Sequence, residues 1–227
     1  MSSPRNARHY RLTHRTHYAY PQEVTQSYGR ALLLPRPGGG QQVHASRLAT
    51  TPDAAHTSEH RDYHGNSSTY FHITEPHTQL EVYSASVLSV TRRALDRDRL
   101  PQVPWELAAQ AVRTAFDGSG AGAAAGAMAI AESRLPSASV DLTEAVRDYA
   151  ATSFGPGRSV IDVVENLSHR IYRDFSYQSG STTIDTSLPQ VLEHRMGVCQ
   201  DFAHLLIGCV RSMGLSARYI SGYIETH

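Results

Sequence analysis

The apolar residues of this chain change their spacing part-way along it, and that change limits the fold more than any other feature. From Tyr10 to about Thr91 the segments "YRLTHRTHYAY", "TQSYGRALLLP", "QQVHASRLAT", "STYFHIT" and "TQLEVYSASVLSV" are rich in Tyr, Thr, Val and Leu, and Pro, Gly, Asn and Asp mark the breaks between them. In the last segment Leu80, Val82, Leu88 and Val90 share one parity, as a strand with one apolar face requires. The break "YHGNS" is a tight-turn signal. From Asp141 onward "VDLTEAVRDYAATSFG" and "SVIDVVENLSHRIYRDFSY" carry apolar residues at i, i+3, i+4 and i+7 instead. The two periods predict an α+β chain, with an N-terminal antiparallel β-sandwich over residues 1–92 and a mainly helical domain over 141–227. Residues 93–140 read as a helical connector: two prolines precede a helical stretch, Trp105 is its packing anchor, and the Gly/Ala-rich tract from Gly118 to Gly126 is a flexible insert.

Composition narrows the partners. Lys plus Arg (21) equals Asp plus Glu (21), so the overall charge favours neither nucleic acid nor an anionic membrane surface. All 21 basic residues are arginine, which leaves the chain no side-chain amine of its own to accept an acyl group. The start "MSSPRNARHYRLTHRTHYAY" has no apolar run behind its charges and is not expected to be a signal peptide. The stretch "AGAAAGAMAIA" from Ala121 is too short and too rich in Gly and Ala to span a bilayer, so a cytoplasmic location is expected.

Both cysteines fall within "RMGVCQDFAHLLIGCVRSMGL". Phe202, Leu205, Leu206, Cys209, Val210 and Met213 repeat every 3.6 residues, and Gly214 stands where a C-terminal cap would, which predicts a buried amphipathic helix. Cys199 falls in its first turn, and projection at 100° per residue places it on the inward face with Leu206 and Val210. Gly197 suits a sharp entry into the helix. Ten residues along a helix separate the two thiols by about 15 Å, beyond the ~7 Å limit for a disulfide, so both are expected to be free. At a helix N-terminus the dipole and the unpaired N–H groups favour a thiolate, and the same groups can hold an oxyanion. Position alone also allows a plain structural cysteine at 199. Cys209, among leucines, reads as a small hydrophobe.

The run "GVCQDFAHLLIGCVRSMGLSARYISGY" resembles the nucleophile motif of the bacterial transglutaminase-like family. The preceding "RIYRDFSYQSGSTTIDTSLPQVLEHRMG" resembles the family's approach to that motif, and "DYHGN" with "PHTQLEVYSASVLSV" is similar to its N-terminal β domain. The resemblance implies a papain-like core with a Cys-His-Asp arrangement, in which Cys199 attacks the amide of a protein or peptide substrate. It also implies that Tyr177 offers a hydrogen-bond donor beside the thiol, against the simpler reading of a tyrosine packed at a strand edge. Gln200 would contribute its backbone N–H.

In that family the His and Asp lie on strands after the cysteine helix. Here "ARYISGYIETH" reads as the first of those strands, so the core is expected to be C-terminally incomplete and the chain inactive. The alternative is a non-catalytic protein-binding module with a vestigial cysteine domain. His204 lies about 140° around the helix from Cys199, on the expected solvent side, where it pairs with Asp201 and does not reach the thiol. His194 and His227 are weak substitutes for the base. An unpaired strand edge after Ile220 is expected to favour self-association. No cofactor or metal is expected: His56, His60 and His64 would line one face of a helix, but "TPDAAHTSEHRDYHGN" reads as lying between strands, and on a strand they would be about 13 Å apart from one to the next and could not share one ion.

Overall fold

A computed structural model of the protein describes residues 7–91, 96–114, 124–183 and 186–225. The chain divides into two compact units, Met1–Arg97 and Asp98–His227.

The first unit has six strands: β1 (Arg8–Val24), β2 (Ser27–Leu34), β3 (Gln41–Thr51), β4 (His56–Arg61), β5 (Ser67–Ile73) and β6 (His77–Val90). They form two three-stranded antiparallel sheets, in the orders β1-β6-β3 and β2-β5-β4. The parity predicted for the last segment is realised, with Leu80, Val82 and Leu88 all buried on one face of the central strand β6. Leu80 and Val82 meet Ala31, Phe71 and Ile73 of the other sheet in one apolar core, which makes this unit a β-sandwich. The Phe71 ring lies where a side chain on its cross-strand partner Gly29 would stand: a Cβ there would come within 2.1 Å of the ring.

The turn read from "YHGNS" joins β4 to β5, with the Asp62 carboxylate accepting from the Asn66 backbone N–H (2.8 Å) and Nδ2 (3.0 Å), and Gly65 at φ +79°. Strand β4 itself departs from the reading. Its residues were expected to lie between strands, yet His56–Arg61 pair with β5 from His56 opposite His72 to Arg61 opposite Ser67. Every residue of β4 is exposed, so it carries no apolar alternation to announce it. His56 and His60 stand on this strand and His64 in the turn beyond it.

The second unit contains six helices among the described residues: α1 (Trp105–Thr114), α2 (Ala124–Glu132), α3 (Glu144–Ala151), α4 (Val160–Asp174), α5 (Leu188–His194) and α6 (Cys199–Ser212). Trp105 donates from Nε1 to the Gly155 carbonyl (3.0 Å) and packs edge-on against Phe154, the anchoring role its sequence position suggested. The segment 115–123, which holds most of the Gly/Ala tract, lies outside the described residues. Thr143 and Ser159 cap α3 and α4, each accepting a first-turn N–H. Val146, Val163, Leu167, Val191, Leu205 and Cys209, each no more than 1% exposed, form the centre of the core that these helices share. Helix α6 ends at Gly214, whose φ of +87° reverses the chain so that Leu215 N–H bonds the Val210 carbonyl.

Two short strands, β7 (Ser176–Tyr177) and β8 (Met196–Gly197), pair in parallel. The strand expected after α6 is absent: residues 216–225 make no ladder. A strand requires a neighbour for its N–H and C=O groups, and among the described residues none runs beside this segment. It is instead tied at its start, where Ala217 donates to the Ser133 carbonyl and accepts from Nε and Nη2 of Arg211.

Candidate active site

The approach to Cys199 is fixed from both sides. Arg195 caps α5 in the left-handed region (φ +54°), and its guanidinium lies over the Tyr149 and Phe175 rings at 5.2 and 4.9 Å. That unusual backbone turn points the chain into β8, where the Arg195 carbonyl accepts from Ser176 N–H (2.8 Å) and the Gly197 carbonyl from Gln178 N–H (3.0 Å). The register sets Tyr177 opposite Gly197, so β7 delivers the tyrosine to the entrance of α6. Tyr177 is 67% exposed and Gln200 is exposed as well.

Helix α6 begins with Val198 as its N-cap, in extended conformation, and Cys199 as its first residue. Valine has no side-chain acceptor, so the first-turn N–H groups that Ser, Thr or Asp would ordinarily cap have no such partner here. From the other direction Asp201 caps Val198: its Oδ2 accepts the Val198 N–H at 2.8 Å. Thr182 Oγ1 donates to the same oxygen at 2.7 Å.

Cys199 is exposed, contrary to the helical projection that turned it inward. The buried stripe of α6 runs through Asp201, Leu205, Gly208 and Cys209. Val210, on the side of the helix that Cys199 shares, is also buried, so that side is covered farther along α6 and open at its first turn. Cys209 is buried as the pattern predicted, and burial pushes its thiol up to about 12.

His204 also departs from expectation. It is half-buried and lies 5.3 Å from the Tyr219 ring, because the segment after α6 folds back over it. Burial lowers its pKa, and the Asp201 carboxylate opposes that shift. His194 is exposed in the last turn of α5, and His227 lies outside the described residues. No described histidine hydrogen-bonds the Cys199 thiol, and no group of three potential metal ligands occurs among the described residues. No described helix is long and apolar enough to cross a membrane.

The structure thus brings Tyr177, Gly197, Cys199 and Gln200 to one helix entrance. It adds Thr182 and Asp201, which sequence reasoning had not placed there. Asp201 at the third helical position was a legible capping signal, while Thr182 sits in a loop with no periodic pattern.

The chain is thus a β-sandwich followed by a helical unit in which an exposed cysteine opens a helix entered from a short parallel bridge. Residues 10–89 match the bacterial transglutaminase-like N-terminal region, and residues 147–227 match the transglutaminase-like superfamily. The chain belongs to this bacterial transglutaminase-like family. An uncharacterized protein of Mycobacterium tuberculosis (strain ATCC 25618 / H37Rv) is 44% identical over 229 residues, which cover 100% of this chain and 69% of the relative. One from Mycobacterium leprae (strain TN) is 32% identical over 219 residues, covering 95% and 71%. Among solved structures, a protein of Cytophaga hutchinsonii described provisionally as a cysteine protease shares the fold, with a TM-score of 0.70 at 20% identity over 93% of this chain. The present chain spans 65% of that protein's length.

Proposed function

We propose that Cys199 is the nucleophile of a thiol enzyme acting on amide bonds of a protein or peptide. The observation that supports this best is an exposed thiol at the first position of a 14-residue helix whose valine N-cap leaves the adjacent N–H groups without a side-chain acceptor. In the proposed step the thiol loses its proton to a base and its sulfur bonds the amide carbonyl carbon. The carbonyl oxygen takes the negative charge, facing the N–H groups of the helix start, including that of Gln200. Collapse breaks the C–N bond, the amine leaves with a proton, and the resulting thioester passes its acyl group to an amine or to water, freeing the thiol. Tyr177 is proposed to offer its hydroxyl beside this centre, a reading supported by its backbone register opposite Gly197.

Proton transfer is the step for which the described residues offer no bonded partner. General acid–base catalysis contributes typically about 10²- to 10⁴-fold, so without a base bonded to the thiol amide turnover is proposed to be slow. The test measures amide hydrolysis and amine incorporation by residues 1–227 and by Cys199→Ala. Slow turnover that disappears in the variant agrees with the proposal. Turnover that survives Cys199→Ala defeats the assignment of the nucleophile, and rapid turnover abolished by it defeats the view that the base is missing from the described set.

A further inference from the structure

We infer that Asp201 and Thr182 act together as a positioning clamp that holds the Cys199 turn and the 178–183 loop in one arrangement; the inference rests on Cys199 being the nucleophile proposed above. Asp201 is 5% exposed, and a single carboxylate oxygen, Oδ2, receives both the Val198 N–H (2.8 Å) and the Thr182 hydroxyl (2.7 Å). A buried carboxylate with two donors on one oxygen is a rigid joint, because moving either donor leaves charge unsatisfied in a desolvated place. One donor belongs to the residue immediately before Cys199. The other, Thr182, belongs to the loop that follows Tyr177 and stands 17 residues before Cys199, so the joint ties two remote stretches of chain at the helix entrance.

The glycine upstream is cut to fit the same joint. A Cβ at Gly197 would stand 2.9 Å from Asp201 Oδ2 and 3.0 Å from Asp201 Cβ, so the aspartate side chain occupies the space that any other residue would need. Gly197 meanwhile accepts from Gln178 N–H across β7 and β8, which ties the start of the 178–183 loop to the approach of α6, while Thr182 ties its end to Asp201. Asp201 touches no reacting atom in this account. It acts through Val198 on the direction in which the first-turn N–H groups present themselves to the Cys199 sulfur, and through Thr182 on the wall beside it.

The test uses the full chain and reads the rate at which iodoacetamide alkylates Cys199 at fixed neutral pH, resolved from Cys209 by peptide mass mapping. This readout needs no amide turnover, so its outcome is separate from that of the proposed reaction. Thr182→Val, which keeps shape and removes the hydroxyl, is expected to slow alkylation about threefold, the size of a modest helix-terminus effect. Thr182→Ser is expected to restore the rate to within about twofold. Asp201→Ala should slow it at least as much as Thr182→Val, while Asp201→Asn, which retains an acceptor for both donors and removes a negative charge, should react at least as fast as the parent chain. A Thr182→Val rate equal to the parent overturns the clamp. So does a Thr182→Ser as slow as the valine variant, or an Asp201→Asn as slow as the alanine variant, since packing rather than the shared hydrogen bond would then govern the thiol. Melting temperatures measured beside the rates keep a folding defect from passing as a positioning effect: a loss of rate that tracks loss of melting temperature across all four variants also overturns it.

Discussion

Replacing Gly197 by alanine gives a sharp test of how tightly the entrance to α6 is built. Gly197 does not occupy the left-handed region, so alanine meets no backbone penalty there, and on conformational entropy alone the change would stabilise the fold by about 0.4–1 kcal/mol. Sterics oppose this. The new Cβ would lie 2.9 Å from Asp201 Oδ2, 3.0 Å from its Cβ and 3.3 Å from its Cγ, so the whole side chain must retreat. Asp201 cannot retreat without loosening its bonds to Val198 N–H and Thr182. Overpacking of a well-filled site costs about 1–3 kcal/mol, and a weakened hydrogen bond to a charged group about 1.5–3 kcal/mol. After the entropic gain the expected net loss is about 2–5 kcal/mol. Urea unfolding of the second unit, followed through Trp105, should show a lower midpoint with unchanged slope. An alanine variant as stable as the parent, or more so, would show that the Asp201 side chain is free to move and would refute the reasoning.

Further outcomes follow from the same geometry. Leu205→Ala, at a site with 0% exposure at the centre of the helical core, should destabilise the second unit by about 2–5 kcal/mol in urea unfolding. Gly29→Ala in the β-sandwich would place a Cβ 2.1 Å from the Phe71 ring and should cost about 1–3 kcal/mol, read as a lower thermal midpoint of the first unit. Brief alkylation at pH 8 should label Cys199 and spare Cys209, whose thiol is raised to about 12; equal labelling would count against the burial difference. Cys209 and Tyr149 both hold their protons to about pH 12 when folded, from ordinary values of 9.0 and 10.0, so the folded state binds more protons across that interval. Stability should therefore fall as pH rises from about 9 to 12, and Cys209→Ala should flatten part of that slope; a slope unchanged in the variant would contradict it.

The parts of this fold that the sequence discloses are those in which one face is buried. The parity of Leu80, Val82 and Leu88 identified β6, and the 3.6-residue repeat through Leu205 and Cys209 identified α6, because each pattern is the direct imprint of a core. Strand β4 left no such imprint, since a fully exposed edge strand has no reason to alternate. Helix α5 is only seven residues long, and a helix of two turns shows too little periodicity to stand out from "TSLPQVLEHRMG". The site divides in the same way. Cys199 was legible from its place at the start of a periodic helix. Its exposure was not, because which side of the first turn is covered depends on chain segments remote in sequence. The Thr182 contact with Asp201 spans 19 residues and rests on one hydroxyl, which no local pattern encodes.

The central claim, that Cys199 forms an acyl-enzyme, is tested most directly by trapping that species. An activated ester such as p-nitrophenyl acetate carries a leaving group that departs without help from a general acid, so the reaction isolates the nucleophile from the base. After brief exposure of residues 1–227, intact-mass and peptide mapping should find one acetyl group on the peptide containing Cys199, removable by hydroxylamine and missing in Cys199→Ala. An acetyl group that is absent, that survives hydroxylamine, or that appears equally on Cys209 would contradict it.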